Sequence, residues 1–156
     1  PKPHKNTELL ERAYEAALAQ RSLPPLVVSI PGSGARGVVR TGPLGDSEVG
    51  ALLRNAKAFF FPSLYEGFGR PPVEAALEGT LPVVSSLAVH REALAGVPEA
   101  IFLEPASESQ WTESFLRLAE SSGRVSEASR QWIRDTWSME RLSRKMDQVY
   151  RSVLGI

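Results

Sequence analysis

The chain contains no cysteine and only two histidines, His4 and His90. The first absence excludes a disulfide scaffold and thiolate metal sites, and the second leaves too few imidazoles for a histidine-rich centre, so no metal is expected. A thiol-free chain suits a reducing compartment, and a cytoplasmic location is expected. Charge of one sign is lacking too: Lys and Arg total 18, and Asp and Glu total 18. No net field draws the protein to nucleic acid, so an anionic ligand must be held locally. No run reaches the roughly 18 apolar residues of a membrane span, and residues 1–20 are charged throughout, unlike a signal peptide. The chain opens at Pro1 rather than Met, which reads as a piece of something longer. At 156 residues it is expected to form a single domain, 1–156, since a chain of this size buries roughly 68–70% of its unfolded surface.

The patterns that are present alternate. Leu9, Leu10, Ala13, Ala16, Ala17 and Leu18 recur at helical spacing opposite Glu8, Glu11, Arg12 and Glu15, which predicts an amphipathic helix over 7–20. "LVVSI" at 26–30 is short, apolar and β-branched and predicts a buried strand. Further strands are expected at 38–41, 58–62, 81–86 and 100–104. Helices are expected at 46–55, capped by Asp46 or Ser47, and at 72–79, with Pro71 or Pro72 at the first position and Gly79 closing it. Beyond residue 106 the pattern is purely helical: 108–121, 126–136 and 138–153, the last capped by Ser138. Strands alternating with helices imply a parallel sheet covered on both faces. One connection is too short. Only "PGSGARG" separates Ile30 from Val38, and parallel neighbours need a crossover of roughly a dozen residues. Either the two strands are not parallel neighbours or the crossover helix is absent.

"GSGARG", Gly32 to Gly37, matches G-x-G-x-x-G after a strand but runs into the β-branched "VVRT" instead of a helix. No acid follows about 20 residues later to meet a ribose, so the match reads as a connecting loop rather than a dinucleotide site.

"YEGFGRPPVEAALEG", 65–79, sets Glu66 and Glu74 eight positions apart across a glycine- and proline-rich turn. The strand before it delivers Ser63 and Glu66 to its carboxyl edge, where open α/β sheets bind ligands. The amides at the start of the following helix, with its dipole, form an anion site. A carboxylate aimed at a phosphate repels it, so acids on either side of a bound phosphate suit hydroxyls flanking that phosphate, as in a nucleotide sugar. Taken by themselves, Glu74 is equally an acid placed at the positive end of a helix dipole, and Glu66 an exposed loop acid.

"FFFPSLYEGFGRPPVEAALEGTLPVVSS" resembles the signature region of retaining glycosyltransferases of family 4, with its E-x7-E element. The resemblance extends to "PHKN", "GPLGDSEVGALLRNA", "VHREALAG", "FLEP" and "WSMERLSRKMDQVY", nearly the whole chain. It implies an α/β fold, a Rossmann-like parallel sheet with helices on both faces, forming the C-terminal, donor-binding half of a GT-B glycosyltransferase. It implies transfer of a hexose from a UDP-, GDP- or ADP-sugar with retention of configuration, the nucleotide sugar being substrate and no cofactor being needed. Carried over by position, Glu66 meets hydroxyls of the transferred sugar and stands as the catalytic candidate. The turn Gly67, Phe68, Gly69 and Arg70 meets sugar and β-phosphate, and Lys5 neutralises the diphosphate. Glu74 accepts from the ribose, while Pro43, Leu44 and Ser63 lie around the base and ribose. The family's diphosphate-binding arginine would fall before Pro1. The implied partner is an N-terminal acceptor-binding half, toward which the 137–156 helix packs and through which the protein associates peripherally with the inner face of a membrane. His90 and Arg91 match a recurring surface element and are expected to be structural; Trp111, Trp132 and Trp137 are expected to pack helices. Arg70 and Pro72 depart from the more usual aliphatic residues, and Pro72 removes an amide donor. Two other classes fit the residues: a non-catalytic nucleotide-sugar-binding or scaffolding domain, and a glycosidase or phosphorylase using the two glutamates as acid and base.

Overall fold

The computed structural model describes residues 3–121 and 123–155; Ile156, the last residue of the expected final helix, lies outside them. A 3₁₀ turn at Pro3–Lys5 leads into α1, Thr7–Leu18. Then follow β1 (Leu26–Val28), β2 (Val38–Arg40), α2 (Asp46–Asn55), β3 (Ala58–Phe61), α3 (Arg70–Leu77), β4 (Leu81–Ser85), α4 (Ala88–Ala93) and β5 (Ile101–Leu103). Three helices close the chain: α5 (Glu108–Ala119), α6 (Glu127–Trp137) and α7 (Met139–Leu154). All strand pairs are parallel, in two ladders ordered β1-β2 and β3-β4-β5. The fold is the expected α/β class. Helix α4 was not among the expected helices: at six residues it is too short to show periodicity.

Strand β3 shows how both sheet faces are covered. Phe60 stacks on Phe115 of α5 at 4.1 Å, while Phe61, one residue on, faces His90 of α4 at 5.6 Å. Alternation along the strand sends the two rings to opposite sides. β4 runs between its neighbours with every residue buried, and Trp111, Tyr14 and Val83 are almost wholly excluded from solvent. Arg124 ties two helix ends together, donating to the carbonyls of Arg54 in the last turn of α2, Ala56 just after it and Glu78 after α3 at 2.9–3.1 Å.

The short connection proves to be a real parallel crossover without a helix: Val27 pairs with Val39 across β1 and β2, and residues 29–37 form an irregular loop. The expectation that β1 is a buried strand is therefore wrong. Val27 and Val39 lie side by side, 41% and 48% exposed, because a crossover helix is what would cover that face. The loop closes only with glycine at Gly34, where a Cβ would stand 2.0 Å from the Val38 carbonyl oxygen. The glycines of the false dinucleotide motif serve this tight return.

The cap of α2 and the start of α3 differ from expectation. α2 is capped by Gly45, not Asp46 or Ser47, because the Glu48 carboxylate reaches back to accept the Gly45 N–H at 2.8 Å. α3 starts at Arg70, two residues early, because Gly69 adopts a left-handed conformation (φ 85°) that turns the chain directly into the helix. Gly79 follows the end of α3 at φ 83°, as a terminating glycine should.

Candidate functional site

The site grows from the carboxyl end of β3, where Phe61 and Pro62 lead to Ser63, Leu64, Tyr65 and Glu66. The 3₁₀ turn docks against this segment: Leu64 N–H donates to the His4 carbonyl at 2.8 Å, and the His4 and Tyr65 rings meet at 4.7 Å. Asn6 holds the far side through its amide to the Pro105 carbonyl, 3.0 Å, just beyond β5. Lys5 is thereby carried over the strand end. Its Nζ lies 4.7 Å above the Phe61 ring and 2.5 Å from Glu66 Oε1.

The Glu66 side chain is only 14% exposed. Burial pushes its pKa up, but hydrogen bonding from Lys5 and Ser63 and the charges of Lys5 and His4 outweigh burial and hold it below the ordinary value. The Ser63 contribution comes from nearness, since its fully buried hydroxyl completes no well-aligned hydrogen bond. Glu66 is thus a carboxylate, held in place by a cation 61 positions away in sequence.

From Glu66 the chain passes through the exposed Gly67, the half-buried Phe68 and the buried Gly69 into α3. Arg70 occupies the first helical position, so Pro71 and Pro72 stand second and third rather than first. Both lack an N–H. A helix start ordinarily offers four unpaired amides; here the helix offers those of Gly69 and Arg70, and the loop adds those of Gly67 and Phe68. The amides without a backbone partner are thus divided equally between the helix start and the loop before it. Glu74, one turn into α3, accepts from Arg70 at 3.1 Å in an exposed pair. Pairs of this kind contribute about 0.3–0.5 kcal/mol, so Glu74 is readily released to another partner. That contact explains Arg70 without a ligand.

Beneath the turn lies a residue that sequence reasoning placed on the surface. His90 is fully buried, with Nδ1 2.8 Å from the Ser85 carbonyl and Nε2 unpartnered. Burial, its largest influence, lowers the pKa of the ring and the neighbouring Lys5 charge adds to this, while the Ser85 hydrogen bond and Glu66 oppose them, so His90 is neutral near pH 7. Trp137 also reaches the site, its ring meeting Phe68 edge-on at 4.8 Å while its indole N–H donates to the Ala93 carbonyl. Trp111 and Trp132 pack as expected, Trp132 against Gly96. Nothing in a lone Trp or His signalled proximity to the turn; only the fold brings 90 and 137 to 68 and 69.

Pro43 is exposed and Leu44 half-buried on the loop from β2 to α2. The structure brings Lys5, Ser63, Glu66 and 67–70 together, and no hydrogen bond among the described residues joins the β2–α2 loop to that turn. A shallow recess lined by Asp135, Arg141, Arg144 and Lys145 lies between α6 and α7 and shares no residue with the turn. No group of three or more metal-ligating side chains occurs among the described residues, and no helix there is long and apolar enough to cross a membrane.

Comparison with known proteins converges on one family. Residues 2–139 match the family described as glycosyl transferases group 1. An MMP alpha-(1->4)-mannosyltransferase of Mycolicibacterium hassiacum is 42% identical over 82 residues, which are 51% of this chain and 20% of that protein. An O-antigen chain mannosyltransferase, RfbU, of Salmonella typhimurium is 31% identical over 80 residues, 51% of this chain and 22% of its own length. The serotype-specific mannosyltransferase WbdA of Escherichia coli is 33% identical over 117 residues, 64% of this chain and 14% of that protein. Among solved structures, a sucrose-phosphate synthase from Thermosynechococcus elongatus superposes with a TM-score of 0.71 at 17% identity, covering 99% of this chain and 43% of that one. AviGT4, a glycosyltransferase involved in avilamycin A biosynthesis, gives 0.64 at 21% identity, covering 99% and 50%. These likenesses establish the fold as the Rossmann-like α/β half of GT-B glycosyltransferases. The chain spans half or less of those solved chains and 14–22% of these curated relatives.

Proposed function

The chain belongs to the glycosyl transferases group 1 family, and from that premise we propose that it is the donor-binding half of a hexosyltransferase that uses a nucleoside-diphosphate sugar and retains configuration. The observation that carries this reading is the meeting of Lys5 and Glu66 at the carboxyl end of β3, beside the turn 67–70. A cation, a carboxylate and a row of unpaired amides within one turn suit a diphosphate with a hydroxyl-bearing ring attached. Glu66 accepts from sugar hydroxyls, and the amides of Gly67, Phe68, Gly69 and Arg70 take sugar and β-phosphate. Lys5 pivots from Glu66 toward the diphosphate as the ligand arrives. Glu74 leaves Arg70 for the ribose hydroxyls, freeing Arg70 to face the phosphates. Pro43, Leu44 and Ser63 line the base and ribose end.

In the transfer, the bond from the anomeric carbon to the diphosphate oxygen breaks while an acceptor hydroxyl oxygen bonds to the same face. The acceptor proton passes to the departing phosphate. Lys5 and the turn amides stabilise the charge that develops there, usually the largest catalytic contribution. The acceptor enters from an N-terminal half packed against α7, which completes a cleft that this chain leaves as open surface; contact with a membrane, at its cytoplasmic face, comes through that half. The names of the relatives make a nucleoside-diphosphate mannose the first donor to test.

The test is titration of UDP-, GDP- and ADP-sugars into the wild type and Glu74→Gln. A hydrogen bond to a charged group contributes about 1.5–3 kcal/mol, so the variant is expected to bind the preferred donor at least about tenfold more weakly. Unchanged affinity would remove the ribose assignment, and wild type that binds no nucleotide sugar would remove the donor reading.

A further inference from the structure

Three buried side-chain atoms have no hydrogen-bond partner among the described residues: Ser63 Oγ, Ser85 Oγ and His90 Nε2. They come from the residues after β3, the end of β4 and the helix after β4, all at the carboxyl edge of one sheet. Unpaired buried polar atoms are rare in folded chains and concentrate where function overrides packing.

Of the three, His90 has a defined orientation. A carbonyl oxygen only accepts, so the 2.8 Å contact with Ser85 places the proton on Nδ1 and anchors the ring to β4. The opposite edge of the ring then faces Gly69. A Cβ on Gly69 would stand 2.8 Å from His90 Cδ2 and 3.0 Å from Nε2. The imidazole therefore occupies the volume that any side chain at 69 would need. Gly69 is also the residue whose left-handed backbone (φ 85°) turns the amides of the loop into α3. Phe68, the residue before it, rests edge-on against Trp137, so two adjacent residues of the turn are each held by a ring from elsewhere in the fold.

We propose that His90 is a positioning residue of the donor site: anchored to Ser85, its ring is the floor that fixes Gly69 and so aims the amides of Phe68, Gly69 and Arg70 at sugar and β-phosphate. The inference rests on the donor reading above and assigns His90 no contact with substrate. No hydrogen bond or ring contact joins His90 to Glu74 or to the β2–α2 loop among the described residues, so the ribose and base end should not sense a change at 90.

That asymmetry supplies the test. His90→Asn retains an N–H able to reach the Ser85 carbonyl but removes the ring edge under Gly69. In the full chain, calorimetric titration should show affinity for the preferred one of UDP-glucose, GDP-mannose and ADP-glucose falling about tenfold or more. Affinity for the corresponding nucleoside monophosphate should hold within about twofold. Equal losses for both ligands, or no loss for either, would overturn the proposal. A second variant guards against a simple failure to fold: Gly69→Ala should show the same selective loss, and the double variant should lose less than the sum, because truncation at 90 makes room for the new methyl. Strict additivity contradicts the proposed contact. Wild type that binds none of the three sugars overturns the donor reading and this inference together, an outcome distinct from a wild type and variant that bind alike.

Discussion

Lys5 and Glu66 join the proposed donor site to the stability of the fold through one ion pair. Their side chains are 34% and 14% exposed, between the surface pairs that contribute little and the buried pairs whose rupture is severe. The folded Glu66 carboxyl titrates below its usual 4.5, so its contribution to stability is present above that value and is lost as pH falls through the lower folded pKa. Lys5→Ala removes the main force holding the pKa down and leaves burial to raise it. The variant should be about 1–2 kcal/mol less stable than wild type at pH 7 by chemical denaturation. The gap should narrow as pH drops below 4.5. A deficit independent of pH would mean that Lys5 acts through packing on Phe61 instead. At this scale the sequence was legible where spacing carries chemistry: Glu66, Glu74 and the glycine turn stand in one short segment. It was illegible where chemistry depends on the return of the chain. Lys5, 61 positions from Glu66, entered only through the family resemblance, and nothing in the sequence set His90 against Gly69.

Among the elements, boundaries moved where a local hydrogen bond or a left-handed glycine outweighed composition. Glu48 moved the cap of α2 to Gly45, although the helix keeps its expected span, and Gly69 brought α3 forward to Arg70. The strand-to-strand alternation was readable from apolar runs, whereas the burial of β1 was not, because burial depends on what covers a strand. One element, α6, is held at its start by a carboxylate from outside it. Glu99 accepts from the Ser126 N–H at 2.9 Å and the Ser129 hydroxyl at 2.8 Å, while the Ser126 hydroxyl accepts the Ser129 N–H in turn. Burial raises the Glu99 pKa, but these hydrogen bonds prevail and hold it at about 2. Depressed in the fold, Glu99 stabilises above its unfolded value of 4.5 and ceases to do so as pH falls toward 2. Glu99→Gln should therefore lower stability at pH 7 by about 1–2 kcal/mol, and denaturation curves of variant and wild type should converge in acid. Persistence of the full difference at low pH would assign the effect to shape rather than charge.

Over the whole molecule, the strongest asymmetry is between β4, buried at every residue, and α7, which buries none. Leu142, Met146, Val149 and Val153 form an apolar stripe along α7, each 43–78% exposed. A 16-residue helix with a Ser138 cap and a left-handed Gly155 end has good termini, but a helix of this length is marginal in water without packing. Burying each of these side chains would contribute roughly 1.5–3 kcal/mol, so the stripe is a large unused source of stability that the proposed N-terminal half would draw on. In this chain, hydrogen exchange should find α7 amides opening at free energies near zero, while β4 amides exchange only through global unfolding. In a longer protein that includes the proposed N-terminal half, the same α7 amides should become protected to a degree approaching that of β4. Protection of α7 equal to that of β4 in the short chain would mean that the helix is stabilised within this domain, and the case for α7 as the seat of the acceptor-binding half would fail.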